Sequence, residues 1–229
     1  MKPVELEEAA ESERTLARAL ERLPLFPLPN VVLFPHALLP LHVFEERYRQ
    51  MARDVLASHR FLAVGLLIDA DEDAAGDPPP VRPVAGVGEI VMAHELPDGR
   101  FNLVLRGKAR IHIDRELPRD TPYRLVQASV VADGPEPNET DLMDADASLR
   151  ALVSQLADAI PEGGELLRQV VAAQETAAEL ADVLAAALVA APATRQWLLE
   201  QTDVLKRIER VSAEVVVMSA RIAPDHKMN

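Results

Sequence analysis

The spacing of the hydrophobic residues changes once along this chain, near residue 133, and this change constrains the fold more than any other feature. Before it, apolar residues tend to alternate with polar residues or with proline, most regularly in residues 103–113. Such alternation is typical of strands with one buried face. After it, apolar residues recur every three or four positions, as they do in amphipathic helices. The pattern predicts an α+β protein, with a β-rich part first and a helical part second.

Composition shifts give the expected domain boundaries. Residues 1–22 are rich in Glu, Ala and Arg with a thin apolar stripe, so we expect an N-terminal extension with a weak helix. A β-rich domain is predicted for residues 23–133. Residues 134–140 include two prolines and a glycine and are interpreted as a linker. The remaining residues, 141–229, are predicted to form a helical bundle domain.

Within the β-rich domain, the pattern predicts about six strands and one helix. The wholly apolar run at 61–68 is typical of a buried strand, and Pro97-Asp98-Gly99 is a strong turn signal that makes a hairpin. The helix is predicted from about 43 to 58, because Phe44, Tyr48, Met51 and Val55 share one helical face. Strands joined by short turns favour a small, mostly antiparallel barrel.

The last predicted helix, residues 203–222, carries a seam of apolar residues spaced four and three apart. This α7 seam consists of Val204, Ile208, Val211, Val215, Met218 and Ile222. Such a seam can pair two chains as a homodimer or pack inside a bundle. It spans only about three heptads, and the preceding helices need a surface to pack on, so internal packing is favoured.

Charge and composition exclude several classes of partner. The formal net charge is −13, so the surface should repel nucleic acid and anionic membranes. The chain has no cysteine, which excludes disulfides, thiolate nucleophiles and cysteine-ligated zinc. No apolar stretch approaches the roughly 20 residues that a membrane span needs, and the acidic start resembles no secretory signal. We expect a cytoplasmic protein.

Catalytic motifs are missing from the sequence. No serine lies in a Gly-x-Ser-x-Gly elbow, and Gly107-Lys108 lacks the rest of a phosphate-binding loop. His36, His42, Glu45 and Glu46 lie close together and could suggest a metal site or a hydrolase, but their spacing matches no metal-binding pattern. We therefore predict no catalytic residues, no metal and no cofactor.

A stripe of basic residues on the predicted hairpin leaves two interpretations open. Arg106, Lys108, Arg110 and His112 alternate with an apolar face. They could bind an anion or an acidic peptide, or they could form a solvated sheet face paired with nearby acids. In so acidic a chain the second interpretation is favoured.

The first block of the β-rich domain resembles a known family. Leu25-Phe26-Pro27-Leu28, Val32-Leu33-Phe34-Pro35 and the run from Leu39 to Tyr48 are similar to the opening of the N-terminal substrate-recognition domain of Lon proteases. Weaker similarity continues through residues 88–90, 96–100, 107–111 and 195–200, with Arg207. The chain departs from the family at His36, where glycine is common, and at Glu46, where proline is common.

This resemblance implies a PUA-like pseudo-barrel followed by a helical bundle. It also implies non-catalytic recognition of unfolded or partly exposed protein segments, because the ATPase and Ser-Lys protease of the family lie in other domains. The chain is interpreted as a freestanding member with an adaptor or holdase-like role. The alternative is an RNA-binding protein, since other PUA-like folds bind RNA; the charge of −13 argues against it.

Residues 23–44 are the expected ligand site. This segment holds thirteen large apolar residues among five prolines, more than a small barrel can bury, so an exposed apolar patch is predicted. Phe34 and Tyr48 are the candidate contacts, because large rings often carry most of the binding energy. The competing hypothesis is that the helical domain covers this surface and that both rings are core residues.

Overall fold

The computed structural model describes the backbone of residues 3–68 and 79–222, and the side chains within these ranges from residue 10 onward. The chain divides into two compact units, residues 1–131 and 132–229. The first contains α1 (Pro3–Ala19), β1 (Leu23–Leu28), β2 (Leu38–Val43), α2 (Glu46–Leu56), β3 (Phe61–Leu66), β4 (Val84–Glu95), β5 (Phe101–Glu116) and β6 (Arg124–Val131). The second contains α3 (Glu139–Ala159), α4 (Gly164–Ala172), α5 (Ala177–Leu188), α6 (Pro192–Glu200) and α7 (Val204–Ile222). The predicted α+β class is confirmed.

The strands of the first unit close into a barrel around the long strand β5. β5 pairs with β4 along its length, with β2 through residues 101–106 and with β6 through residues 110–116. The circuit β5-β4-β3-β1-β6 returns to β5. Among the described pairs of named strands, β1 and β3 run parallel and the others antiparallel. This is the mostly antiparallel pseudo-barrel that the sequence predicted, with β2 added alongside the first part of β5.

The segment between β1 and β2 crosses the barrel strands at very short range. A Cβ atom built on Gly107 would lie 1.9 Å from the carbonyl oxygen of Phe34, and one on Gly86 would lie 2.0 Å from that of Leu33. Only glycine permits such an approach. The crossing ends at His36, which has φ 63° and donates its backbone N–H to the Gly107 oxygen at 3.0 Å. His36, where the resemblance implies glycine, thus adopts a left-handed backbone conformation.

This crossing fixes Phe34 in the interior. Its side chain is 0% exposed, so Phe34 is a core residue and presents no surface for the ligand contact that was predicted for it. The sequence argument counted apolar residues on an assumed edge strand, but residues 31–34 lie over the barrel instead. Of the thirteen large apolar residues in 23–44, only Leu38 and Phe44 are exposed, and Leu28, Val31, Leu39 and Leu41 are partly buried.

Two apolar clusters fill the barrel. One lies under α2 and includes Phe26, Leu33, Tyr48, Met51 and Leu103. The other includes Ala19 and Leu20, at the end of α1, with Leu25, Phe61 and Ile111. Since a fully buried large apolar side chain stabilises by about 1.5–3 kcal/mol, both clusters contribute substantially to stability.

The basic stripe on β5 is not a continuous solvated face. Between Gly107 and Ala109 the pairing with β4 shifts by one residue, so Lys108 forms a bulge that breaks the alternation. Beyond it Arg110 is buried. Lys108 pairs with Glu89 at 2.9 Å and His112 with Asp114 at 3.0 Å, as the solvated-face interpretation expected for these two residues.

In the second unit, α7 packs against α3 and α5. Ile208, Val211 and Val215 of the α7 seam are buried, while Val204, Met218 and Ile222 are partly buried. The seam therefore packs within the helical unit, which is the interpretation that the sequence favoured. The alternative, a homodimer through these six residues, stays a prediction, since Val204, Met218 and Ile222 keep part of their surface exposed.

A buried arginine organises the start of this unit. Arg207 is 0% exposed, and its guanidinium donates to both carboxylate oxygens of Asp133, at 2.6 and 3.1 Å. Its Nε lies 3.5 Å from Asp182 Oδ1. Gly134 donates its backbone N–H to the Thr202 oxygen at 2.9 Å. The first residue of the predicted linker is thus hydrogen-bonded to the helical unit, and α3 begins at Glu139 because the Asn138 side chain caps it.

Candidate functional site

A groove in the barrel unit is the strongest candidate for a ligand site. It has a volume of about 480 Å³ and lies between the end of β1, the turn from β2 into α2, and the segment that precedes β6. Small-ligand sites typically have volumes of about 300–1,000 Å³. The same part of the chain carries the first block of the family resemblance, so geometry and sequence indicate one surface.

The floor of the groove is apolar and aromatic. Phe26 and Tyr48 are each 6% exposed, and their ring centroids lie 4.5 Å apart in a tilted arrangement. Phe44, also lining the groove, is 61% exposed and stacks at 6.3 Å on His42. An apolar side chain of a ligand could pack against the exposed ring and the buried aromatic pair. This packing would remove its surface from water.

Basic side chains surround this floor. Arg47 lies over the Tyr48 ring, 4.6 Å from its centroid, and pairs with Glu45 at 2.8 Å. Arg124 pairs with Glu116 and donates to the Pro79 oxygen at 2.8 Å. Burial raises the pKa of Tyr48 above its ordinary value, while Arg47 and Arg124 lower it. The Glu45 carboxylate also raises this pKa, so charges of both signs act on the aromatic floor.

Tyr123 holds the far wall in place. Its hydroxyl donates to Asp54 Oδ2 at 2.7 Å, and the other oxygen of Asp54 accepts from Gln50 at 2.8 Å. Burial, together with the Asp54 hydrogen bond, raises the pKa of Tyr123. These hydrogen bonds connect the segment before β6 to α2. The buried, neutral hydroxyl of Tyr123 therefore joins the two sides of the groove.

The predicted contact residues fare differently. Tyr48 lies in the groove, whereas Phe34 lies in the core away from it. Sequence reasoning missed Phe44 as an exposed ring because it placed Phe44 on the buried face of a helix. The helix begins only at Glu46, so Phe44 precedes it. The acidic pair Glu45-Glu46, typical of a first helical turn, was the signal for this later start.

The histidines and glutamates considered as metal ligands have other roles. His42 Nδ1 lies 2.7 Å from Asn102 Oδ1. Glu45 pairs with Arg47 and Glu46 with Arg49, at 2.8 and 2.7 Å. Within residues 3–68 and 79–222, no three His, Asp or Glu side chains come together as a metal site would require. No helix of that described part is long and apolar enough to cross a membrane.

The helical unit presents a second surface around Trp197. This tryptophan is 43% exposed and borders an open cavity of about 630 Å³ with Lys206, Glu209 and Arg210. Its charges are mixed, and Arg210 also pairs with Glu214 at 2.7 Å. A single exposed ring among paired charges gives a weaker indication of a ligand than the aromatic floor of the barrel groove.

Comparison with known proteins points to one family. A family model described as the ATP-dependent protease La (LON) substrate-binding domain matches residues 22–216. The Lon protease of Rhizobium meliloti (strain 1021) is 30% identical over 192 residues, which cover 82% of this chain and 23% of that protein. The Lon protease of Xanthomonas oryzae pv. oryzae is 29% identical over 207 residues. The chain thus spans about a quarter of the length of these relatives.

Solved structures give the same result for the fold. The N-terminal domain of Mycobacterium avium complex Lon protease aligns with a TM-score of 0.66 at 18% identity, covering 85% of this chain and 98% of that one. A Lon N-terminal domain protein from Xanthomonas campestris aligns with a TM-score of 0.59 at 26% identity, covering 84% and 97%. The matches run through both the barrel and the helical part.

Proposed function

Since this chain belongs to the Lon substrate-binding domain family, we propose that it binds exposed segments of other proteins in the groove of its barrel unit. The observation that carries the proposal is the aromatic floor formed by Phe26 and Tyr48 beside the exposed ring of Phe44. An apolar side chain that is buried in a native protein becomes available when a segment unfolds. The groove would then bind unfolded or partly exposed segments without recognising one fixed sequence.

The same proposal includes the absence of catalysis. The family match covers a substrate-binding domain, and the sequence lacks a phosphate-binding loop and a serine elbow. We expect the purified chain to hydrolyse neither ATP nor casein, and turnover that persists through repeated purification would contradict this. An adaptor or holdase-like role in the cytoplasm follows from binding without turnover and belongs to the proposal.

The RNA-binding alternative has less support. Cations on the outside of the barrel are paired with acids, as in Lys108 with Glu89 at 2.9 Å and Arg100 with Asp98 at 2.7 Å. Binding to a phosphate backbone would have to break such pairs against a net charge of −13. An RNA mobility-shift titration at low salt provides the direct comparison.

The central experiment replaces the exposed ring of the groove. Phe44→Ser should weaken binding of a permanently unfolded test protein about fivefold to thirtyfold, because a well-used interface ring is worth about 1–2 kcal/mol. The matched control is Met92→Ser, since Met92 is 63% exposed in the same unit but does not line the groove. Affinity would be measured by fluorescence anisotropy, with circular dichroism to verify the fold.

The outcomes separate cleanly because neither replaced side chain contributes much to the core. Loss of binding in Phe44→Ser alone would support the groove. Equal loss in both variants would indicate a diffuse apolar surface, and unchanged binding in Phe44→Ser with an intact fold would remove the groove from the proposal.

A further inference from the structure

Charge distinguishes the groove from the rest of the molecule. The chain carries a net charge of −13, yet among the residues that the structure describes, those lining the groove include Arg47, Arg119 and Arg124 and one acid, Glu45. Asp120, next to Arg119, pairs with Arg22 at 2.6 Å, whereas Glu116 pairs with Arg124 and compensates its charge. A cleft lined mainly by cations in an acidic molecule concentrates ligands of negative charge.

The three arginines are placed differently. Arg124 is mostly buried and is held by Glu116 and the Pro79 oxygen, so its charge is compensated and it serves mainly to fix the wall of the groove. Arg119 and Arg47 are exposed at the rim. The pair between Arg47 and Glu45 is itself exposed, and exposed ion pairs contribute little stability. An incoming carboxylate can therefore replace Glu45 on Arg47 at little cost.

The aromatic floor and the basic rim are in contact where Arg47 lies over Tyr48. Arg47 stacks on the ring of Tyr48, 4.6 Å from its centroid, so an apolar side chain on the floor would have the Arg47 guanidinium directly beside it. A guanidinium binds a carboxylate through two parallel hydrogen bonds, which fixes its direction as well as its charge.

We propose that the groove selects protein segments in which an aromatic or large aliphatic residue stands next to an aspartate or glutamate. The apolar side chain packs on Phe26, Phe44 and Tyr48, and the neighbouring carboxylate binds Arg47. This inference rests on the proposed function, since it assigns a sequence preference to the same groove. It runs against the overall charge of the protein, which would otherwise disfavour acidic ligands.

The test uses three short peptides that differ in one position: a central Phe followed by Glu, Gln or Lys, all acetylated and amidated so that no chain end carries charge. The Glu peptide should bind the full chain about threefold to tenfold more tightly than the Gln peptide, and the Lys peptide should bind most weakly. Binding would be measured by fluorescence anisotropy at fixed ionic strength. Equal affinities for the Glu and Gln peptides would overturn the inference and leave the proposed function standing, whereas no binding of any peptide would contradict both.

A charge reversal separates recognition from structural damage. Arg47→Glu should invert the order, so that the Lys peptide binds more tightly than the Glu peptide; a merely unfolded groove would weaken all three alike. The matched control is Arg115→Glu, which makes the same change in net charge at an exposed position outside the groove. If Arg115→Glu inverted the order as well, the preference would come from overall charge and the assignment to Arg47 would fail.

Two further arms exclude other sources of the carboxylate. A peptide with a central Phe, no acidic residue and a free C-terminus should bind no better than the Gln peptide. Tight binding of this peptide would mean that the basic rim recognises the terminal carboxylate of a chain.

Residues 69–78 contain Asp69, Asp71, Glu72, Asp73 and Asp77 in the sequence between Ile68 and Pro79. A variant with these five acids replaced by Asn or Gln should keep the preference for Glu over Gln. Binding of the Glu peptide by that variant alone would assign the rim to the chain's own acids and overturn the proposal.

Discussion

The barrel unit and the helical unit solve the problem of a close-packed interior in different ways. The barrel brings backbones together, with Gly86 and Gly107 lying against the carbonyl groups of Leu33 and Phe34. The helical unit has one such approach, Gly164 against the Ala157 carbonyl, and in addition buries the Arg207 guanidinium between Asp133 and Asp182. The approach at Gly107 depends on the absence of a side chain, whereas the ion cluster depends on the presence of the Arg207 side chain. Substitution of Gly107 should therefore destabilise the barrel unit, and substitution of Arg207 the helical unit.

The largest expected effect is on the barrel. Gly107→Ala should destabilise the barrel unit by more than about 3 kcal/mol, because the new Cβ would overlap a backbone carbonyl that cannot rotate away. Gly134→Ala is the matched control: its Cβ would meet its nearest neighbours at an ordinary 3.5 Å, so it should cost less than about 0.5 kcal/mol.

Urea unfolding followed by two signals would make this comparison specific. The chain has a single tryptophan, Trp197 in α6, so tryptophan fluorescence reports the helical unit while circular dichroism reports both units. Gly107→Ala should shift the dichroism transition much more than the fluorescence transition. Shifts of equal size in both signals would mean that the units unfold as one and would break the comparison.

A smaller effect is expected from removing the buried charge. Arg207→Ala should destabilise the helical unit by about 2–3 kcal/mol, because Asp182 is left buried without its cation. Arg210→Ala removes an exposed pair with Glu214 on the same helix and should cost less than about 1 kcal/mol. Tryptophan fluorescence in urea measures both. If the two variants were equally stable, the interior of the helical unit would not depend on its ion cluster.

The smallest effect is a pH dependence confined to the barrel unit. Burial lowers the pKa of His59, whose Nδ1 accepts the backbone N–H of Phe61 at 3.0 Å. Because the folded state binds this proton more weakly than the unfolded state, the contribution is complete above the ordinary pKa of 6.5 and is lost as the pH falls through the lowered value.

Thermal melting of the parent and of His59→Asn between pH 7.5 and pH 5 would measure this contribution. Asparagine keeps a hydrogen-bond acceptor but does not titrate in this range. The stability of the parent relative to the variant should decline as the pH falls. Parallel curves would show that His59 takes no part in the acid sensitivity of the barrel.

What the sequence predicted well was local. The four residues Thr176-Ala177-Ala178-Glu179 have the form of a capping box, and both of its hydrogen bonds are present at the start of α5. The α7 seam was recognised from its spacing, and its packing against α3 and α5 follows from the same periodicity. Each of these features depends on residues within a few turns of one another.

What the sequence could not predict depends on residues far apart in the chain. The burial of Phe34 depends on Gly107, and the bulge at Lys108 is visible only from the pairing of β5 with β4. The groove combines the end of β1 with Arg119 and Tyr123, almost a hundred residues later. No local pattern marks such a meeting. The family resemblance supplied the general ligand class, but the count of apolar residues pointed to Phe34, whereas the exposed ring is Phe44.

The pairing of β1 with β6 has a consequence for synthesis of the protein. Leu23 pairs with Val126, so the first strand cannot complete its hydrogen bonds until about a hundred more residues have been translated. At about 5–20 residues per second, the apolar block beginning at Leu23 waits for roughly 5–20 s on the ribosome without its partner. During that interval the nascent chain displays an exposed apolar segment of the kind that the finished protein is proposed to bind. Newly made copies would then be substrates for completed ones, and the yield of folded protein would depend on how many copies already exist.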